Sequence, residues 1–389
     1  MTFVATDADR AHLRRALELA ERGRGRVSPN PLVGAVLVSD GEVTGEGFHA
    51  ALGELHAEVA AIADCRERGR DPAGATLYVS LEPCAHQGRQ PPCTEAILAA
   101  GIARVVIGCD DPSEKANGRG PGILRDEGVE VEFIDGAEAA AARLLLQPFR
   151  KHARTALPLV TLKAAVSLDG FTATPSGDSR WISGPESRAL VHRWRAESDA
   201  VAVGIGTVLA DDPLLTARDT EDSEQGASTT ARLGYASHAR QPARVVFDSS
   251  ARVPADSALV RSIDEAPLLV FTGADADRAR VEALSSAGAE VISFAGDRER
   301  RLADALAELG RRGIGSLLVE GGAELAGSLL AAGEVDQLRV FIAPVVLGAG
   351  RPLAAGSGFE RVADAARPIG VEWERVGEDM LASARLREW

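Results

Sequence analysis

Apolar residues along this chain fall into short runs separated by polar and glycine-containing turns, and the period inside the runs changes from segment to segment. Near the start, Leu13, Leu17 and Ala20 recur on one helical face, which predicts an amphipathic helix with Asp7 or Asp9 as its cap. The next run, 31–39, is continuous and rich in Val and Leu. It leads through Asp40-Gly41 into EVTGEGFH, a pattern that predicts a β-hairpin turning at Asp-Gly. Helix is then expected over 56–68, strand over 76–80, helix over 94–100, strand over 105–108, a short strand near 129–133, and an Ala/Leu-rich helix over 137–146 that ends at Gln147-Pro148.

A basic stretch at 150–154 precedes Leu157-Pro158, and the pattern restarts there. Strands are expected over 159–166, 200–204, 243–248, 268–272, 290–294, 316–319 and 337–342, with helices over 302–311 and 323–332. Alternation of this kind in both halves predicts two α/β domains, the first a sandwich with a largely parallel portion. The expected boundaries are 1–148, a linker at 149–157, and 158–389. Residues 219–241 hold Asp, Glu, Ser, Thr, Gly and Gln without a period and read as an exposed, mobile insertion. There is no internal repeat.

The length of 389 residues suits two or three domains, and 45% hydrophobic with 26% charged residues is an ordinary globular balance. There is no run of about 18 apolar residues, so no membrane span is expected. The start lacks the layout of a signal peptide, and a cytoplasmic location follows. The net charge is −14 and no dense Lys/Arg block occurs, which disfavours a polynucleotide substrate, although a local basic groove stays open. A small phosphorylated substrate needs only one or two Arg. In a cytosolic chain the cysteines, Cys65, Cys84, Cys93 and Cys109, point to metal binding or catalysis where they sit in motifs, rather than to disulfides.

Two of them do. His56-Ala57-Glu58 is followed by Pro83-Cys84 and by Cys93 after Pro91-Pro92. A zinc-dependent base deaminase needs one His and two Cys on the metal, with a nearby Glu that shuttles protons without ligating. His56 and Glu58 are two apart at a helix start, so both can face one pocket. Cys93 precedes a helix whose positive end favours a thiolate. Eight residues separate Cys84 from Cys93 where the general pattern has two, and a longer loop still closes a tetrahedral site. Cys65 and Cys109 read as small core residues.

The stretch Leu81-Glu82-Pro83-Cys84-Ala85-His86-Gln87-Gly88-Arg89-Gln90-Pro91-Pro92-Cys93 resembles the bifunctional riboflavin-biosynthesis (RibD) family, as do Ser28-Pro29-Asn30-Pro31, Gly47-Phe48-His49, and Asp111-Pro112 followed by Gly118-Arg119-Gly120. The resemblance covers nearly the whole chain. It implies a cytidine-deaminase-like α/β/α sandwich followed by a dihydrofolate-reductase-like α/β domain. It makes His56, Cys84 and Cys93 the zinc ligands and Glu58 the proton carrier, with Asn30, His49 and His86 holding the pyrimidine and its sugar phosphate. Gln90 stands where the family usually has Thr, and Ser113 where it often has Asn. Taken alone, His49 is equally well a satisfied core histidine.

In the second half, Leu162-Lys163 with Ala165, Ser167-Leu168-Asp169-Gly170, Ser179-Arg180-Trp181-Ile182-Ser183, Val203-Gly204-Ile205-Gly206-Thr207, Ala210-Asp211-Asp212-Pro213-Leu214-Leu215-Thr216, and Val319-Glu320-Gly321-Gly322 are similar to the family's reductase motifs. The last joins a strand to a helix through a Gly pair, which suits the phosphates of a dinucleotide and equally suits a plain tight turn. Arg195 and Arg218 have the fork to clamp a phosphate, yet unaided each is a solvated surface Arg. Trp181 either covers a nicotinamide or packs a core. The resemblance assigns Ala165, Trp181, Thr207, Asp211 and Gly322 to NADPH, and Ser179, Arg195, Leu215, Arg218 and Glu320 to the substrate. It implies hydrolytic deamination of 2,5-diamino-6-(5-phosphoribosylamino)pyrimidin-4(3H)-one, then NADPH reduction of the ribosyl group to 5-amino-6-(5-phosphoribitylamino)uracil, in a homo-oligomer. Two rivals are a nucleoside or nucleic-acid deaminase with an accessory nucleotide-binding domain, opposed by the acidic charge and the second-half motifs, and a non-catalytic sensor, opposed by the intact zinc residues.

Overall fold

The first helix, α1 (Asp7–Glu21), is capped by Thr6 rather than by either aspartate. Thr6 Oγ1 accepts from the Asp9 amide at 3.1 Å, and Asp9 Oδ2 accepts from the Thr6 amide at 2.9 Å, so Asp9 is the third helical residue of a reciprocal capping box. The computed structural model describes residues 4–88, 90–218, 240–358 and 360–389. The insertion expected at 219–241 lies outside the described residues except for Arg240 and Gln241. The chain divides into two units, Met1–Ala156 with Trp389, and Leu157–Glu388.

In the first unit, β1 (Gly34–Ser39) and β2 (Glu42–Phe48) form the expected hairpin. Its corner residues Asp40 and Gly41 have φ of 49° and 79°, the paired positive values of a tight turn matched to strand twist. Then come α2 (Ala57–Glu67), β3 (Thr76–Val79), α3 (Cys93–Ala99), β4 (Arg104–Ile107), α4 (Arg119–Asp126), β5 (Glu130–Phe133), α5 (Gly136–Leu145) and α6 (Gln147–Thr155). The sheet runs β2-β1-β3-β4-β5, with β1 antiparallel to both neighbours and β3, β4 and β5 parallel. One core lies between the sheet and α2, α3 and α4, another between the sheet and α1 and α5, giving the α/β/α sandwich. Helix α2 sits unusually close to β2. A Cβ on Gly45 would meet the Ala61 carbonyl oxygen at 2.3 Å, and one on Gly47 the Ala61 nitrogen at 2.3 Å. That close approach sets where the start of α2 points.

Helix α6 occupies most of the segment read as a linker. Pro148 lies in its first turn, where a missing N–H costs nothing, so this proline starts a helix instead of following one. Arg150 and Lys151 are buried, and Arg150 donates to the Asp110 carbonyl at 2.7 Å. Ala156, at φ 57°, ends the helix in a left-handed turn.

The second unit holds β6 (Leu159–Ser167), β7 (Phe171–Ala173), α7 (Pro185–Glu197), β8 (Ala200–Gly204), α8 (Ile205–Asp211), β9 (Ala243–Phe247), α9 (Ala258–Arg261), β10 (Leu268–Gly273), α10 (Arg278–Ser286), β11 (Glu290–Phe294), α11 (Arg298–Arg311), β12 (Ser316–Glu320), α12 (Ala323–Ala331), β13 (Gln337–Ala343), β14 (Arg351–Pro352), β15 (Gly370–Val376) and β16 (Asp379–Arg385). The main sheet runs β11-β10-β9-β8-β12-β6-β13-β16-β15, parallel as far as β13 and antiparallel beyond it. Buried cores cover both faces of its parallel part, which is why those strands are continuous Val/Leu/Ala runs.

Asp9 also anchors the first sandwich. Tyr78 donates to its Oδ1 at 2.9 Å and Arg104 at 2.8 Å. Burial pushes this carboxyl up, but the bonds from Arg104, Thr6 and Tyr78 outweigh it and hold Asp9 well below the usual carboxylate range. With the folded value depressed, its stabilisation is present above the unfolded pKa of about 4 and is lost as pH falls further. Asp9→Asn is expected to cost about 2–4 kcal/mol at pH 7 and to flatten the loss of stability below about pH 4, read from urea melts of both proteins across that range. Equal melts at pH 7 contradict this.

Candidate active sites

His56 is the capping residue of α2, in extended conformation, so its ring turns away from the helix toward the loop that ends at Cys93. Its Nδ1 lies 3.2 Å from Cys93 Sγ and 3.6 Å from Cys84 Sγ. The three donor atoms all lie within 4.8 Å of one another, and among the described residues no other such group of His, Cys, Asp and Glu occurs. Cys93 opens α3, and its amide points at Cys84 Sγ at 3.3 Å. Glu58, in the first turn of α2, is buried beside them.

The electrostatics of this cluster fit a cation. The Cys93 thiol faces Cys84 and, with His56, pulls the Cys84 thiol down to about 4 against the effect of burial. Cys93 is pushed up, first by the Cys84 sulfur and then by burial. Burial, then the Cys84 charge, pushes Glu58 up to about 7. Thus two thiols and a carboxyl resist ionising together, and a divalent ion at their centre removes that conflict. One imidazole and two sulfurs suit zinc, and three protein ligands leave a position for chemistry.

Around it, His49 receives or gives a hydrogen bond at both nitrogens. Nδ1 donates to the Leu55 carbonyl at 3.0 Å, so Nε2 accepts from the Asn30 amide at 3.1 Å. Its ring meets that of His56 edge-on at 5.5 Å, and burial lowers its pKa. The histidine therefore orients the Asn30 amide as much as it faces a ligand. His86 lies on the loop between the two cysteines, and its Nδ1 is buried with no partner among the described residues. Gln90 donates to the Gly53 carbonyl at 3.2 Å, and the Ser113 amide donates to Asp111 at 2.8 Å. Glu82, which the sequence reading left without a role, accepts from the amides of Gly118 and Asp111 at 2.8 and 3.3 Å and so pins the 111–118 loop. Cys65 and Cys109 are buried core residues, as expected.

The second unit contains a cavity of about 1250 Å³ over the carboxyl ends of its parallel strands. Ala165, Trp181, Thr207, Asp211 and Gly322 all line it. So do Ser179, Arg195, Leu215, Arg218 and Glu320. Gly321 and Gly322 have φ of 96° and 89°, and a Cβ on Gly322 would lie 3.4 Å from the Gly204 nitrogen. This bare turn opens α12, whose first N–H groups suit a pyrophosphate. Trp181 is 70% exposed on the rim, with Arg188 stacked at 4.7 Å, so it packs no core.

Arg195 differs from the free fork that its residue type suggested. Its Nε and Nη2 donate to Glu320 at 2.5 and 2.8 Å, and Nη1 to the Thr216 carbonyl at 3.1 Å. Arg218 forms no ion pair among the described residues. Two more side chains belong to this cavity. Burial lowers the pKa of Lys163, which faces Glu320, and lowers His192 to about 4, helped by Arg195 and Arg218. Glu320 is pushed up by burial, but Arg195 and Lys163 more than compensate and keep it below its usual range. A lysine between apolar neighbours on a doubly buried strand was the available sequence signal for a polar cavity at β6.

Residues 6–109 match the cytidine and deoxycytidylate deaminase zinc-binding region, and residues 158–382 match the RibD C-terminal domain. The chain is 42% identical over 377 residues to the riboflavin biosynthesis protein RibD of Escherichia coli (strain K12), covering 96% of this chain and 98% of that one. It is 38% identical over 375 residues to the RibD of Bacillus amyloliquefaciens, covering 96% and 95%. Among solved structures, Acinetobacter baumannii RibD (form 1) superposes with a TM-score of 0.82 at 35% identity, over 97% of this chain and 98% of that one. The diaminohydroxyphosphoribosylaminopyrimidine deaminase/5-amino-6-(5-phosphoribosylamino)uracil reductase of Thermotoga maritima does so at 0.80 and 34%, over 97% and 98%. With both halves matched along nearly their full length, this chain belongs to the RibD family of riboflavin-biosynthesis enzymes, in which a zinc-dependent pyrimidine deaminase is joined to an NADPH-dependent reductase.

Proposed function

We propose that deamination is carried out at the His56–Cys84–Cys93 cluster and reduction in the cavity between β6 and β10, with the residue roles that follow. The observation that carries the first assignment is the convergence of three soft and borderline donors within 4.8 Å beside a buried glutamate. His56, Cys84 and Cys93 hold zinc. Bound zinc supplies the Lewis acidity that lets water act as a nucleophile at neutral pH. With zinc held there, Glu58 would take one proton from the attacking water and deliver it to the pyrimidine ring nitrogen, then carry the second, from the newly added hydroxyl, to the departing amine so that ammonia leaves. Asn30, held by His49, reads the pyrimidine edge with its donor and acceptor, and His86 faces the sugar phosphate from the ligand loop.

The deaminated compound is the substrate of the second reaction. Ala165, Trp181 and Thr207 border the nicotinamide half of NADPH, Asp211 lies at the same end, and Gly322 lets the pyrophosphate approach the start of α12. NADPH supplies the hydride for C1′ of the opened ribosyl group. Ser179, Leu215 and Arg218 receive the ribosyl phosphate. Arg195 acts by holding Glu320 as a carboxylate, with Lys163 adding to the same effect.

The domain division we infer follows the compact units, with the deaminase ending at Ala156. We place the enzyme in the cytoplasm, in keeping with four unpaired cysteines, two of them needed as zinc ligands. Among the described residues no helix is long and apolar enough to cross a membrane. A homo-oligomer is favoured by edge strand β15, which exposes Val371 and Trp373 to solvent.

Glu58→Gln is expected to keep about one zinc per chain while ammonia release falls about 10²–10⁴-fold, and NADPH oxidation with the deaminated intermediate is expected to continue at the parent rate. Normal ammonia release by this variant contradicts the proton-carrier role. Arg218→Ala is expected to raise KM of the reductase for its phosphorylated substrate about 10- to 100-fold, with ammonia release unaffected. An unchanged KM removes Arg218 from the phosphate site.

A further inference from the structure

The reductase cavity is longer than a ribosyl phosphate requires. It reaches from Ala165 on β6, across β12, β8 and β9, to Thr272 on β10. Four inter-strand spacings separate β6 from β10, about 19 Å at roughly 4.8 Å each. The Gly321-Gly322 turn follows β12, near one end of that span. On the reading that NADPH lies with its nicotinamide near β6 and its pyrophosphate at this turn, the adenosine falls over the ends of β9 and β10.

That far end is closed by the first turn of α11, where Arg298 and Arg301 both line the cavity. Arg301 is half-buried, and its Nη1 donates to the Gly296 carbonyl at 2.7 Å. The same atom lies 3.6 Å from where a Cβ on Gly273 would stand, a point 3.1 Å from the Ser249 carbonyl oxygen. The guanidinium thus sits at the ends of β9 and β10, the place to which the adenosine ribose is directed. On the same turn Arg300 is paired with Asp304 at 2.9 Å, whereas Arg301 forms no ion pair among the described residues. Acids stand close by: Asp275 Oδ1 is 2.5 Å from that same Gly273 point, though it forms no ion pair with Arg301 among the described residues, and Asp248 Oδ2 accepts from the amides of Arg252 and Val253. Arg298 pairs with Glu324 at 3.0 Å, but both side chains are largely in solvent, so that contact yields readily to a stronger anion. The start of the 14-residue helix α11 is itself capped by Asp297, whose Oδ1 accepts from the Arg300 amide at 2.8 Å, so the local positive charge comes from the arginine side chains.

We propose that Arg301, with Arg298 beside it, reads the 2′-phosphate of the adenosine ribose and so makes this reductase select NADPH over NADH. The two cofactors differ only in that phosphate, and a half-buried guanidinium held by a main-chain carbonyl is pre-positioned to bind it with little loss of side-chain freedom. The inference rests on the NADPH reading of this cavity, and calorimetry on the intact zinc-loaded chain separates the two. NADPH and NADH are titrated, together with adenosine 2′,5′-bisphosphate and AMP, which differ by the same phosphate. The unmodified chain is expected to bind NADPH and the bisphosphate more tightly than NADH and AMP. Arg301→Ala is expected to weaken NADPH and the bisphosphate about 10- to 100-fold and to leave NADH and AMP within about threefold, with Arg301→Lys in between because it keeps charge but not the fork. Retained NADH affinity certifies that the variant is folded; if Arg301→Ala does not fold, Arg298→Ala and added salt carry the same comparison. Equal weakening of NADH and NADPH, or no change in either, overturns the proposal, as does a parent chain that binds both dinucleotides alike. A parent chain that binds neither overturns the underlying cofactor reading instead.

Discussion

An imidazole and two sulfurs can share one small volume only if three separate chain segments are held in register, and the deaminase unit is built around that constraint. His56 comes from the start of α2, Cys84 from the loop after β3, and Cys93 from the start of α3. The sheet fixes the second of these. The first depends on Gly45 and Gly47, whose missing side chains let α2 settle on β2 closely enough to aim His56 inward. Without an ion, the two thiols and buried Glu58 oppose one another's ionisation; with one, the same groups become mutually consistent. Folding and metal binding are therefore linked in this unit.

The reductase unit meets a different demand with the same device of helix starts at strand ends. Its cavity opens over the carboxyl edge of a parallel sheet, where β12 hands over to α12 through two glycines and α11 opens with a run of arginines. One buried acid, Glu320, sits between Arg195 and Lys163, so the most polar part of the cavity is an ordered charge network rather than a set of free cations. Arg218 and Arg301, which also line the cavity, form no ion pair among the described residues.

Much of this was legible from the chain. The convergence of His56, Cys84 and Cys93 was, because those residues carry their chemistry in residue type and each sits beside a helix or strand boundary that local pattern marks. Both α/β halves and most of their elements were visible from hydrophobic period. What escaped has physical causes. In sequence Pro148 reads as a stop because proline ends helices more often than it begins them, and only the burial of Arg150 and Lys151 reveals α6. Asp7 and Asp9 compete with Thr6 as caps by residue type, and the reciprocal Thr-Asp spacing is the signal that favours Thr6. The hairpin of β15 and β16 has an alternating pattern, Val371 and Trp373 against Glu372 and Glu374, that was open to the same reasoning. Arg195 illustrates the deeper limit: residue type shows that a fork exists, and only tertiary structure shows that Glu320 already fills it.

The central claim is that zinc is held by His56, Cys84 and Cys93 and by no other protein group. X-ray absorption at the zinc edge of the purified chain tests it most directly. The account predicts two sulfur neighbours at about 2.3 Å and light-atom neighbours at about 2.0–2.1 Å. A shell of four sulfurs, or one of nitrogen and oxygen alone, would contradict it.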